Sequence, residues 1–255
     1  MGAMHTAHDT QDEGGAEAAA GAREGYFRRI GRQIRTSQGA VELSYFHIMW
    51  IFIVTSILGL IAETLVSYPF DGCFKNRYGL IWGPFSPIYG CGAVLFTVTL
   101  NRLDKAPWYV TFLAAAVVGA SFEFCAGWFW EHVFGIVAWS YIDRPFNLLG
   151  YTSLEMAFVW GCAGFLWMKA APYVVHVIDF IPRGWRGWTT VLITIWLVLD
   201  VLTTFAGFSC WFERLEGNEP QGLVQEYFAQ VYDDEFMEER FEVMSMWTVL
   251  ADIRG

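Results

Sequence analysis

The residues able to do chemistry in this chain are a handful of polar side chains set in otherwise apolar sequence. They are Glu63, Glu123, Glu131, Asp143, Arg144, Asn147 and Glu155, with Asp200 further on. An ionisable group inside an apolar span is costly enough to need a reason. Carboxylates gathered in one place have three uses: holding a cation, exchanging protons, or binding the polar head of a substrate beside Arg77 and Arg144. The structural alternative is that each acid pairs with a nearby Arg or a helix N-terminus and orders a loop. Asp200 stands apart from the set, and no role is assigned to it.

A second constellation is the run CFKNRYGLIWGPFSPIYG over residues 73–90. Lys75, Asn76 and Arg77 lead into Gly83, Pro84, Pro87, Tyr89 and Gly90, a pattern that breaks helical hydrogen bonding. Non-helical backbone at membrane depth is tolerated only where protein buries it or where it lines a cavity, and broken helices present free amides and carbonyls to bound solutes. The plainer reading is an outer loop with Pro at a helix start. No GxxxxGK[ST], HExxH, GxSxG or Asp-x-Asp-x-Asp-Gly pattern occurs. The chain is therefore not expected to hydrolyse ATP by itself, no cofactor is expected, and an enzymatic role is the weaker reading. Cys73, Cys91, Cys125, Cys162 and Cys210 lack CxxC spacing and read as small buried hydrophobes rather than metal ligands.

These residues are positioned by membrane helices. Of the 255 residues, 55% are hydrophobic, 18% aromatic and only 16% charged, with a mean hydropathy of +0.35. Ordinary globular chains carry roughly 25% charged residues. A basic nucleic-acid binder, a disordered protein and a disulfide-stapled secreted domain are excluded. Five apolar blocks, near 45–66, 84–100, 108–130, 149–171 and 188–211, each approach the ~20 residues needed to cross a bilayer. They are continuous rather than alternating, and so read as helices. The expected fold is all-α, a polytopic bundle of about five spans. Residues 1–25 are expected to be a disordered tail, 26–43 a basic amphipathic juxtamembrane helix, 44–212 the transmembrane domain, and 213–255 an acidic amphipathic tail. In that tail Leu223, Val224, Tyr227, Phe228 and Val231 form an apolar face, read as one side of a solvated helix.

Lys and Arg set the orientation. Ten flank one set of span ends, against Lys75, Arg77 and Arg144 on the other, which puts the N-terminus in the cytoplasm of a bacterial-type membrane. Glu63 then lies roughly 27 Å along the first span and Glu123 about 22 Å along the third. The acids, Arg77, Arg144 and Asn147 are thereby expected at one depth, near the outer surface.

The sequence also resembles the ABC-transporter type IV family of small bacterial multi-pass proteins. The resemblance rests on Gly59 with Glu63, on Asn76-Arg77-Tyr78-Gly79-Leu80 leading to Gly83-Pro84 and Pro87-Ile88-Tyr89-Gly90, and on Glu123-x-x-x-Gly127-x-x-x-Glu131. Trp139-Ser140-Tyr141, Phe146-Asn147-Leu148 with Gly150, and Trp160-Gly161 continue it, while Leu60 stands where that family has Trp. The resemblance implies a permease-like protein in the lipid bilayer, working with a separate cytoplasmic ATPase. Two other classes stay open: a membrane-embedded enzyme acting on lipid or envelope precursors, with Glu63 or Glu123 as acid or base, and a non-catalytic sensor or assembly factor.

Overall fold

The computed structural model describes residue 41, residues 43–134 and residues 139–242. The tail expected over 1–25, nearly all of the basic helix expected over 26–43, and the acidic tail beyond 242 lie outside the described residues. Among the described residues seven α-helices run in the order α1 (Tyr45–Asp71), α2 (Pro87–Leu100), α3 (Trp108–Phe134), α4 (Leu154–Ile178), α5 (Arg183–Leu215), α6 (Leu223–Val231) and α7 (Asp234–Arg240). A 3-10 turn at Asn101–Leu103 follows α2. Between α3 and α4, β1 (Asn147–Leu148) and β2 (Thr152–Ser153) form a small antiparallel hairpin, Asn147 opposite Ser153.

Among the described residues four helices, α1, α3, α4 and α5, are long and apolar enough to cross a membrane. Between 28% and 33% of each apolar stretch is buried by protein, so most of it, including Leu113, Leu166, Leu192 and Leu199, faces lipid. The fifth block differs. Helix α2 has 14 residues, about 21 Å of rise against the ~30 Å of a hydrocarbon core. It nevertheless returns the chain across the bundle, because an irregular segment supplies the rest of the path.

The two ends of the bundle are defined by polar ties. At the first, Asn101 exchanges hydrogen bonds with the backbone of Val41 (Val41 N–H to Oδ1, 2.9 Å; Nδ2 to the Val41 carbonyl, 3.0 Å). His47 Nε2 lies 3.2 Å from Asp179, which also holds Arg186 at 2.9 Å, and the Trp50 indole donates to Thr190. Helices α1, α3 and α5 therefore run away from this end and α2 and α4 return to it, which leaves residues 216–242 at the second end.

The irregular segment, residues 79–86, penetrates deeply. The Gly79 N–H donates to the Phe85 carbonyl (2.8 Å), closing a loop, and the Ser86 N–H donates to the Ser56 carbonyl (3.2 Å). Ser56 lies mid-way along α1, and Leu80 and Phe85 pack against Ile53 and Leu197 in the bundle interior. Gly83 adopts a φ of 73°, and Pro87 occupies the first turn of α2, where its missing N–H costs nothing. Close approach of α2 to α1 needs Gly90, since a Cβ there would strike the Ser56 hydroxyl and the Phe52 carbonyl.

Residues 223–242 depart from the solvated helix read in the sequence. Leu223, Val224, Tyr227 and Val231 are indeed exposed, but Phe228 is buried together with Tyr232, Met237 and Phe241 against Ile81, Phe208 and Trp211. The chain turns at Tyr232, so the docked face is assembled from two short helices rather than one. Asp233 caps α7 by accepting from the Phe236 N–H (2.9 Å). Arg214 on α5 pins the turn through Asp234 (2.8 Å) and the Tyr232 carbonyl (3.0 Å).

Candidate functional site

At the second end, Arg77 Nη1 donates to Glu63 Oε1 at 3.0 Å, joining the last third of α1 to the loop before α2, and both side chains are largely shielded. Tyr89, in the first turn of α2, directs its hydroxyl at Glu63. It reaches that position because Gly59 lets its ring lie directly on the α1 backbone, where a Cβ would collide with it. A cavity of about 310 Å³ opens beside the pair. Its wall includes Glu63, Arg77, Tyr89, Trp130, Trp139 and Phe241, the last contributed by the docked C-terminal segment.

The backbone of the irregular segment is satisfied by groups from far away in sequence. The Trp82 N–H donates to Asp200 Oδ1 (2.9 Å) and the Ile81 N–H to Thr204 Oγ1 (3.0 Å), both on α5. Arg240 of α7 donates to the Leu80 carbonyl (3.0 Å) and to the Gly83 carbonyl, and its guanidinium stacks over Tyr78 at 3.7 Å. Burial lowers the Arg240 pKa from its ordinary value, while Tyr78 and Asp200 oppose that shift; the side chain stays cationic at neutral pH. Asn76 ties the loop to the same segment, its N–H to Glu242 and its amide to the Glu239 carbonyl, each at 2.9 Å. Asp200, Thr204 and Arg240 carry no sequence signal that points to this loop.

The other acids cluster at the same end but in separate arrangements. Glu123, only 4% exposed, accepts from the Tyr141 hydroxyl (3.1 Å) and the Thr152 hydroxyl (2.7 Å), one on each carboxylate oxygen. Burial, and then the adjacent Glu123 carboxylate, hold the Tyr141 phenol well above its usual range, so it remains a donor. Glu131 is half-buried near the end of α3, and Asp143 is exposed in the loop. Arg144 lies 3.6 Å from Glu155, both open to solvent. Asn147 organises the loop, donating to the Ile142 and Arg144 carbonyls (2.9 Å each) and accepting from the Gly150 N–H (3.1 Å). The structure thus brings Glu63, Asn76 and Arg77 together at the broken-helix motif, places Glu123 behind Tyr141, and leaves Asp143, Arg144 and Glu155 at the surface.

Among the described residues no group of three His, Cys, Asp or Glu is close enough to hold a metal ion. The cysteines differ from the buried small hydrophobes read in the sequence: Cys210 is buried, whereas Cys73, Cys91 and Cys125 are exposed. For Cys91 and Cys125 the reason is their place on the bundle perimeter, where lipid or the cavity replaces protein.

A profile of the family described as "Putative ABC-transporter type IV" matches residues 50–205, more than half of the chain. The chain belongs to the ABC-transporter type IV family. The match runs from α1 into α5 and takes in Glu63, Arg77, the irregular segment, Glu123 and Asp200, while the docked residues 223–242 lie beyond it. No curated protein and no solved structure matches the chain. This type IV protein is an ABC-transporter-type membrane protein by family, with long apolar helices suited to residence in a bilayer.

Proposed function

We propose that this type IV protein is the membrane-spanning permease component of an ABC-type transport system, with solute binding in the cavity beside Glu63 and Arg77. The carrying observation is that cavity, walled by an ion pair and aromatic rings next to backbone that leaves helical geometry at membrane depth. Such a site is concave and mostly apolar, with a few placed polar groups, as ligand sites generally are. Glu123 has both oxygens engaged by neutral hydroxyls and lies off the cavity wall, so an acid-base enzyme built on it gains no support.

ATP hydrolysis belongs to a separate subunit, since this chain carries no nucleotide-binding loop. That subunit meets the first end of the bundle, where Arg102, Lys105, Lys169, Arg183 and Arg186 concentrate, a positive excess that supports a cytoplasmic side there. The cavity then faces outward in a bacterial-type cell membrane. Amine-directed cross-linking in native membranes, followed by purification of this chain, tests the reading. A nucleotide-binding protein joined through Lys105 or Lys169 is expected. Recovery of the chain with no nucleotide-binding protein, from cells in which Glu63→Gln and Arg77→Gln have no phenotype, refutes it.

A further inference from the structure

The charges on the cavity wall restrict what can bind there. Among the described wall residues Glu63 and Arg77 are the charged ones, and they are already in contact at 3.0 Å. Both are largely removed from solvent, with side-chain exposures of 28% and 15%. A cation arriving alone at Glu63 leaves the shielded pair with a net positive charge, and an anion arriving alone at Arg77 leaves it net negative. Either way an uncompensated charge is held away from solvent, which is strongly unfavourable in such surroundings.

A molecule carrying both charges escapes this penalty. A carboxylate has about four acceptor positions and a guanidinium five N–H donors, so each can serve its protein partner and a ligand group at once. The ligand ammonium meets Glu63 and the ligand anion meets Arg77, and the site remains neutral throughout. The rest of the wall suits an apolar body: Trp130, Trp139, Phe122 and Phe241 supply ring surface, and Tyr89 adds a ring beside Glu63. Aromatic faces also attract an ammonium group. A volume near 310 Å³ limits that body to a small molecule or a single head group.

We infer that this cavity selects a compact zwitterion, an ammonium and an anionic group on one small apolar body, taken either from solution or as a lipid head group. The inference rests on the cavity being a solute site, and the test separates the two ideas. Purified full-length protein, with Cys91 as its single cysteine, is placed in nanodiscs of phosphatidylglycerol, which offers no ammonium. Cys91 lies on the cavity wall, and its rate of reaction with N-ethylmaleimide reports occupancy. The probes are phenylalanine, phenethylamine, phenylpropionate and phenylethanol, with phosphatidylethanolamine added to the bilayer as a separate arm.

Protection by phenylalanine, or by phosphatidylethanolamine, at concentrations about tenfold or more below those of the singly charged and neutral probes is the expected result, a difference of about 1.4 kcal/mol. The arm that protects identifies the source. Glu63→Gln is expected to shift preference toward phenylpropionate and Arg77→Gln toward phenethylamine, although the wild-type panel decides the matter without any variant. Equal protection by all four soluble probes leaves a solute site but overturns charge selection. No protection by any arm overturns both the inference and the cavity as a binding site.

Discussion

Arg240→Ala is expected to loosen the C-terminal segment from the bundle. Two charge-assisted hydrogen bonds to the Leu80 and Gly83 carbonyls disappear, each typically contributing about 1.5–3 kcal/mol, together with a cation–π contact of about 0.5–2 kcal/mol. Against these stand about 2 kcal/mol of side-chain entropy no longer lost and the access of water to the freed carbonyls. A net loss of about 2–4 kcal/mol follows for the docked state. It does not abolish docking, because Phe228, Tyr232, Met237 and Phe241 stay buried, each worth about 1.5–3 kcal/mol. The assay is hydrogen exchange by mass spectrometry in nanodiscs, read on peptides spanning 223–242 and 79–86. The amides of Tyr232, Met237 and Phe241 all donate within that segment, so their exchange reports its opening. An acceleration of about 30- to 800-fold corresponds to the loss. Arg240→Lys, a point charge that cannot span both carbonyls, should fall between wild type and alanine. Because Arg240 is the cation facing Asp200, adding Asp200→Asn to Arg240→Ala should restore part of the protection while keeping the acceptor for the Trp82 N–H. Exchange in Arg240→Ala within threefold of wild type would show that the guanidinium does not hold the segment, and the reasoning fails.

Other expectations follow from the same geometry. Glu123→Gln sets an amide against one of two hydroxyl donors, a loss of about 1–3 kcal/mol and a fall in melting temperature of about 2–10 °C; an unchanged melting point would contradict the buried arrangement. Tyr141→Phe should be less stable than wild type below about pH 10, and the gap should close at higher pH. The reason is that the raised folded-state value keeps Tyr141 protonated while the unfolded chain ionises, so wild-type stability falls with pH there and the Phe variant is spared; a gap constant to pH 11 would argue otherwise. Gly59→Ala drives the Tyr89 ring off α1 without altering any charge, and should weaken zwitterion protection of Cys91 while leaving membrane insertion intact. With Cys73 as the single cysteine, a membrane-impermeant maleimide should label intact cells from outside, and labelling only after lysis would invert the orientation.

Much of the scaffold is legible in the sequence, and for a physical reason. A helix crossing lipid must satisfy its own backbone groups and show an apolar surface all round, so length and composition alone reveal α1, α3, α4 and α5. The Gly and Pro residues of 79–87 likewise announce that helical hydrogen bonding fails there, because Pro lacks a donor and Gly83 takes a positive φ. What these local signals leave open is how deep the segment goes and what satisfies it. Its partners Asp200, Thr204 and Arg240 lie more than a hundred residues away, and hydrogen bonds at that separation leave no periodic trace in the chain.

The same division explains the tail. Helical periodicity around 223–231 groups Leu223, Val224, Tyr227, Phe228 and Val231 on one face, but periodicity holds only while the helix lasts. The break at Tyr232 redirects the chain, so that Phe228, Tyr232, Met237 and Phe241 meet Ile81, Phe208 and Trp211 instead. The cavity depends on that docking, because Phe241 completes a wall otherwise built from α1, α2, α3 and their loops. Residence in a membrane, the four long apolar helices and the presence of a broken helix are properties of short stretches of sequence. Which acid meets Arg77, which meets Tyr141, and what covers the cavity are decided only when five helices and a returning tail exclude lipid and water from the space between them.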